Sequence, residues 1–147
     1  MTNAQLAELL EMGRHSLVVE NRVVRTFDGR GVKDLLRLLD EEPRVLHGAR
    51  IADKVVGKAA AALMVLGKVA GVYGHIISTP AVSLLRDNGV EVEFAEEVQH
   101  ITNRDGTGWC PMEKACEHLQ SPREMLCAIK ETIAELSKRK QTESRTN

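Results

Sequence analysis

The sequence predicts an α/β protein in which a mixed five-stranded sheet lies between two layers of helices. Two observations predict it. Two β-rich runs near the N-terminus meet at a turn, and apolar strands then alternate with helical patterns, as in parallel strands joined by right-handed crossovers. The 147 residues, 43% of them hydrophobic, are enough for one core. We therefore expect a single domain over residues 1–140 and a flexible polar tail over residues 141–147.

The first half of the chain supplies most of these elements. "NAQLAELLEMG" has leucines at helical spacing, and "SLVVENRVVRTF" predicts a hairpin that turns at Glu20-Asn21. A helix follows "DGRG". "ARIA" is then a short buried strand, and "DKVVGKAAAALMVLG" predicts a helix with Asp53 as its N-cap. The alanines of this helix predict that it is buried on several sides. Either a neighbouring helix of the same chain or a second copy in a homodimer would bury it.

The second half continues the alternation. "GVYGHIIST" predicts a strand, and Thr79 is the expected N-cap of the next helix, with Pro80 in its first turn. "VEVEF" alternates apolar and acidic residues, which is typical of an edge strand with one solvated face. One helix is expected after Cys110, and the last begins at the capping box of Ser121 and Glu124.

Composition narrows the class of protein. The formal net charge is −1, so any anion site must be local, and an aromatic content of 3% offers few stacking platforms for nucleic acid, which is therefore not expected as a partner. Three cysteines without a paired framework indicate free thiols in a reducing compartment. The chain shows neither a signal peptide nor an apolar run of membrane-spanning length. We expect a cytoplasmic protein that does not bind a membrane.

The stretch "HITNRDGTGWCPMEKA" carries the most concentrated chemistry. Pro111 suits the first position of a helix, which makes Cys110 the N-cap, where the positive helix end favours a thiolate. Cys116 and Cys127 are expected in apolar burial within helices. The alternative is purely structural: a turn, Trp109 in the core, and Glu113 completing a helix cap.

Two junctions between strands and helices are also polar. In "FDGRG", Arg30 and the flanking backbone N–H groups could hold a phosphate or carboxylate, although a tight turn explains the same residues. In "IADK", Asp53 could act as a base or acceptor and Lys54 as a cation, although both could simply cap a helix.

Metal ligands lack the required spacing. Zinc deaminases use an H-x-E run and a P-C-x-x-C run at two helix starts, and neither is present. Cys110 and Cys116 are too far apart in sequence for the tight pair, and the five histidines show no paired spacing. We expect no metal and no cofactor.

Three stretches, "DGRGVKDLL", "IADKVVGKAAAALM" and "NRDGTGWCPMEK", resemble a small prokaryotic family of unknown function with a cytidine-deaminase-like fold. The resemblance extends from Leu17 to Lys130. It implies that fold and a common site built from the three stretches, but it implies no reaction. In that layout, "FDGRG" and "IADK" fall where the two zinc-binding helices of deaminases begin.

These observations lead to a functional hypothesis. The protein is a metal-independent enzyme acting on a small anionic or nucleotide-like molecule, with Cys110 as nucleophile, Glu113 or Asp53 as general acid/base, and Lys54 stabilising developing charge. The residues expected to orient the substrate are Asp28, Arg30, Asn103, Arg104 and Asp105. The alternative is a non-catalytic ligand-binding or sensor module that keeps the pocket without the chemistry.

Overall fold

The structure, a computed structural model, describes residues 1–29, 31–102 and 108–145. The helices are α1 (Asn3–Met12), α2 (Lys33–Glu41), α3 (Pro43–Leu46), α4 (Lys58–Leu66), α5 (Thr79–Asp87), α6 (Pro111–Cys116) and α7 (Pro122–Arg145). The strands are β1 (Leu17–Asn21), β2 (Val23–Phe27), β3 (Arg50–Val56), β4 (Gly71–Ser78) and β5 (Glu91–Val98).

The strands form one five-stranded sheet in the order β2-β1-β3-β4-β5. Strand β1 is antiparallel to β2 and β3, whereas β3, β4 and β5 are mutually parallel. The mixed five-stranded sheet is therefore confirmed, and the strand predicted at an edge, β5, lies there. The hairpin turns at Arg22, between the paired residues Asn21 and Val23, and not at Glu20-Asn21.

Strand β3 is longer than predicted. It runs to Val56, and α4 begins only at Lys58 with Gly57 as its N-cap, so the predicted helix start at Asp53 is wrong. The β-branched pair Val55-Val56 suits a strand, and the pairing with β4 extends to its end. Asp53 is consequently a strand residue, on the same face of the sheet as Ile51.

Helices cover both faces of the sheet. On one face, α1 buries Leu6 and Leu10 against Val18 and Ala52. On the other face lies α4, whose residues 59–64 are all buried, and α2, α5, α6 and α7 contact it. Helices of the same chain therefore account for the burial of α4 without a second copy.

One helix and two helix ends differ from the prediction. The four-residue helix α3 is too short to show a periodic pattern and was not predicted. Ser78, and not Thr79, is the N-cap of α5, since its hydroxyl oxygen accepts a hydrogen bond from the Ala81 N–H at 3.3 Å. Helix α7 runs through Arg145, so residues 141–145 of the predicted tail are helical.

None of the helices described combines the length and apolar character that crossing a bilayer requires.

Candidate functional site

A cavity of about 740 Å³ lies at the carboxyl end of β3. Its wall is formed by the segment between β2 and α2, the segment between β3 and α4, and the start of α6. Of the site residues predicted from the sequence, those in the wall are Asp28, Asp53, Lys54, Cys110 and Glu113. The other four, Arg30, Asn103, Arg104 and Asp105, lie outside the residues that the structure describes.

The antiparallel pairing of β1 with β3 brings a further residue to this cavity. Leu17 lies opposite Asp53, and the Lys54 N–H donates to the Ser16 carbonyl at 3.0 Å. His15, just before β1, is thereby placed in the wall, where its Nδ1 lies 2.7 Å from Oδ1 of Asp28. Sequence reasoning missed His15, because its position depends on the strand register.

Asp53 is a buried carboxyl with little hydrogen bonding. It is 8% exposed, and the Val55 N–H donates to its Oδ1 at a long 3.4 Å. Burial raises its pKa from 3.8 to about 7, because an ionised carboxylate loses its hydration there. Asp53 therefore exists in both protonation states near neutral pH, which suits a group that accepts and returns a proton.

Glu113 is buried as well, at 3% exposed, but it is engaged. Its Oε2 accepts a hydrogen bond from the Lys58 N–H at 2.6 Å. Burial raises the pKa of Glu113, while that hydrogen bond, the Ser78 hydroxyl and the charge of Lys58 act in the opposite direction. Because Gly57, the N-cap of α4, has no side chain to supply, Glu113 caps α4 from another helix.

Lys58 completes the link between α4 and α6. Its Nζ donates to the carbonyl oxygens of Glu117 and Leu119, at 3.1 and 2.8 Å, just beyond the end of α6. Gly57 permits the contact, since a Cβ there would collide with Oε2 of Glu113. This link carries Cys110, at the N-cap of α6, to the cavity.

The three cysteines have different environments. Cys110 is half-buried in the cavity wall and its side chain makes no capping hydrogen bond. Cys116 is buried, and burial raises its pKa to about 11. Cys127 is exposed on α7, so its expected apolar burial is wrong. Trp109 is 38% exposed and stacks on His100 with ring centroids 4.6 Å apart, so it does not fill the core.

Similarity to known proteins identifies the family of this chain. Residues 5–133 match a family model described as TM1506, domain of unknown function (DUF1893). The chain belongs to the DUF1893 family. A crystal structure of a DUF1893 family protein from Thermotoga maritima is similar, with a TM-score of 0.78 and 25% identity over 88% of this chain and 90% of that one. No curated protein matches. The expected membership of an uncharacterised family is thus confirmed.

The cavity of this DUF1893 protein carries ionisable groups of both signs in its described part. Its acidic residues are Asp28, Asp34, Asp53 and Glu113, and its basic residues are Arg14, His15 and Lys54. Within residues 1–29, 31–102 and 108–145, no three His, Cys, Asp or Glu side chains are grouped so as to hold a metal ion.

Proposed function

We propose that the cavity is the active site of a hydrolase that acts on a small anionic or nucleotide-like molecule through Cys110 and Asp53. One observation carries the proposal: a half-buried thiol and a buried carboxyl whose pKa is raised to about 7 lie in the wall of the same cavity. A nucleophile together with a proton acceptor in one concave site is the basic requirement of covalent catalysis.

The proposed reaction is a displacement at an acyl carbon. The Cys110 thiol gives its proton to ionised Asp53 as Sγ bonds to the carbon, and the bond to the leaving group then breaks as Asp53 returns that proton to it. Water next attacks the thioester, and its proton passes through Asp53 to Sγ, which restores the free thiol. In this scheme Asp53 gains and loses a proton twice, which a pKa near neutrality favours.

Two predicted residues take supporting roles in this proposal. Lys54 lines the cavity and would stabilise the negative charge that develops on the acyl oxygen. Glu113 is a less suitable acid/base, because one of its oxygens already accepts the hydrogen bond that caps α4. We assign it to positioning, since it holds α6 and therefore Cys110 against α4.

The finer description of the fold belongs to the same proposal. The sheet order, with a leading hairpin and three parallel strands, supports a cytidine-deaminase-like fold whose zinc-binding helix starts are replaced by "FDGRG" and the end of β3. A single domain over residues 1–140, the cytoplasmic location and the absence of metal, cofactor and nucleic-acid partner remain predictions, as does a homodimer.

A binding or sensor module is the second candidate, and a specific observation favours it. Two carboxyls of the wall already have partners: Asp28 contacts His15, and Glu113 contacts the α4 backbone. On this candidate, both contacts hold the shape of the pocket and neither carboxyl takes part in a reaction. This candidate predicts that ligand binding survives the loss of the thiol.

The deciding experiment uses p-nitrophenyl acetate, which acylates reactive thiols. We use a Cys127→Ser background, because Cys127 is exposed and would react independently. Peptide mass analysis should locate the acetyl group on Cys110, and Asp53→Asn should slow its formation by about 100-fold, the lower range for a general base. Asp87→Asn, a change of an exposed carboxyl on α5, is the control.

The outcome separates the two candidates. Acetylation of Cys110 that is no faster than in the unfolded chain, or that is unaffected by Asp53→Asn, rejects the hydrolase and leaves the binding module. The ligand charge predicted from the sequence is tested with benzamidine and benzoate, which share a shape and differ in charge. Benzoate should protect Cys110 from alkylation more strongly, and stronger protection by benzamidine would contradict a site for anionic ligands.

A further inference from the structure

A second depression, of about 450 Å³, lies at the opposite end of β1. It is bounded by the turn of the β1–β2 hairpin and by α3, beside the amino end of β3. Its lining residues are Asn21, Arg22, Val23, Arg25, Arg44, Val45 and His47. Every charged or titratable residue among them is basic, in a chain whose net charge is −1. This site is independent of the function proposed above.

Two of the arginines are available to a ligand. Arg25 pairs with Glu42, its NH1 lying 3.1 Å from Oε1. Within the part of the chain that the structure describes, Arg22 and Arg44 form no ion pair, and both are exposed. An anion can therefore bind their guanidinium groups without displacing a carboxylate of the described part of the chain.

The backbone of Arg22 is unusual. Its φ is +67°, in the left-handed region, where a side chain costs free energy that glycine would not. Arg22 is also the single residue between the paired Asn21 and Val23, so the hairpin fixes the base of its side chain. Arg14 and Lys68 also have a positive φ, so the backbone fixes the position of the Arg22 side chain without marking its function.

The side chain of Asn21 hydrogen-bonds to carbonyl oxygens that would otherwise repel an anion. Its Nδ2 donates to the carbonyl oxygens of Arg44, Val45 and His47, at 3.0, 3.2 and 3.0 Å. Carbonyl oxygens at a helix end carry partial negative charge, and the amide of Asn21 occupies these. The same contacts hold α3 against the hairpin. Arg22 on the hairpin and Arg44 on α3 therefore line the same depression from two elements that are hydrogen-bonded to each other.

We propose that this depression binds the phosphate group of a small molecule. Guanidinium groups match the geometry of phosphate oxygens, and two of them with His47 beside them suit a multiply charged group. The volume lies within the range of sites for small ligands. The phosphate could be free pyrophosphate or part of a nucleoside diphosphate, and the experiment distinguishes these.

The test is calorimetric titration of the full chain with inorganic pyrophosphate and, separately, with adenosine diphosphate at low ionic strength. Arg22→Gly removes the guanidinium and relieves the positive φ, so the fold is retained. Arg44→Gln removes the second cation from an exposed position. Each change should weaken pyrophosphate binding about tenfold or more, as expected for the loss of a charge-assisted hydrogen bond.

Arg86→Gln is the matched control, because Arg86 is an exposed arginine on α5 outside the depression. It should leave the affinity unchanged. Equal affinities for the two ligands assign the site to the phosphate group alone, whereas tighter binding of adenosine diphosphate assigns it to a nucleotide. The proposal is overturned if neither ligand binds saturably, or if Arg86→Gln weakens binding as much as Arg22→Gly does.

Discussion

Replacing Asp53 with asparagine should stabilise the protein. Asparagine has nearly the same shape and keeps an oxygen for the Val55 N–H, but it carries no charge that burial would penalise. A tenfold change in proton affinity corresponds to about 1.4 kcal/mol, so a rise in pKa from 3.8 to about 7 corresponds to about 4 kcal/mol. We therefore expect a gain in the free energy of unfolding of up to about 4 kcal/mol above neutral pH.

The pH dependence of this gain has a definite sign. The folded state binds the Asp53 proton more tightly than the unfolded state, because the folded pKa is the higher one. Below pH 3.8 the carboxyl is protonated in both states and the buried charge costs nothing. As pH rises from there to about 7, the unfolded state alone ionises and the wild type loses about 1.4 kcal/mol of stability per pH unit relative to the variant. Above about pH 7 the cost is complete.

Urea unfolding of both proteins at a series of pH values between about 4 and 8 measures this difference directly. Asp87→Asn, at an exposed position, should alter stability by about 0.5 kcal/mol or less at every pH. A stability difference between wild type and Asp53→Asn that does not change with pH would refute the reasoning. So would a variant that is less stable than the wild type at pH 8.

The remaining predictions concern glycine positions and thiols. Gly57→Ala should destabilise the fold by about 2 kcal/mol, because its Cβ collides with Oε2 of Glu113, and moving that buried oxygen breaks its hydrogen bond with the Lys58 N–H. Gly71→Ala, whose Cβ meets no atom closer than 3.7 Å, should cost about 1 kcal/mol or less, and thermal unfolding measures both changes. Iodoacetamide should modify the exposed Cys127 rapidly in the native protein and Cys116 only after unfolding, since Cys116 is buried with its pKa raised to about 11. Native labelling of Cys116 at the rate of Cys127 would contradict its burial.

The sheet could be predicted from the sequence because its signals are local. Alternation in "VEVEF" and the paired β-rich runs of the hairpin indicate strands without knowledge of the rest of the chain. The boundary between β3 and α4 could not be predicted in the same way. Asp53 before an alanine-rich run has the pattern of an N-cap, and only the pairing of β3 with its neighbours keeps residues 53–56 in the strand.

The candidate site depends still more on tertiary contacts. Spacing alone did not show that the Cys110 segment reaches the junctions of Asp28 and Asp53. The docking of α6 brings it there, through the hydrogen bond between Glu113 and the Lys58 N–H and through the Lys58 side chain. Neither contact has a sequence signature, because the partners lie 55 or more positions apart and Glu113 resembles a cap of its own helix.

The two buried carboxyls of the cavity, Glu113 and Asp53, differ in how well they are hydrogen-bonded. Glu113 has a short hydrogen bond of 2.6 Å that caps α4, so one oxygen of this carboxyl has a structural role. The hydrogen bonds of Asp53 are weaker: the Val55 N–H donates to its Oδ1 at a long 3.4 Å, and hydrogen bonding to the Val55 and Lys54 backbone does not offset the effect of burial on its pKa. A buried acid that lowers stability in this way is a candidate for a functional role. Asp53→Asn should then yield a more stable protein whose cavity thiol is acetylated more slowly, and a variant both more stable and equally reactive would leave the buried acid without a functional account.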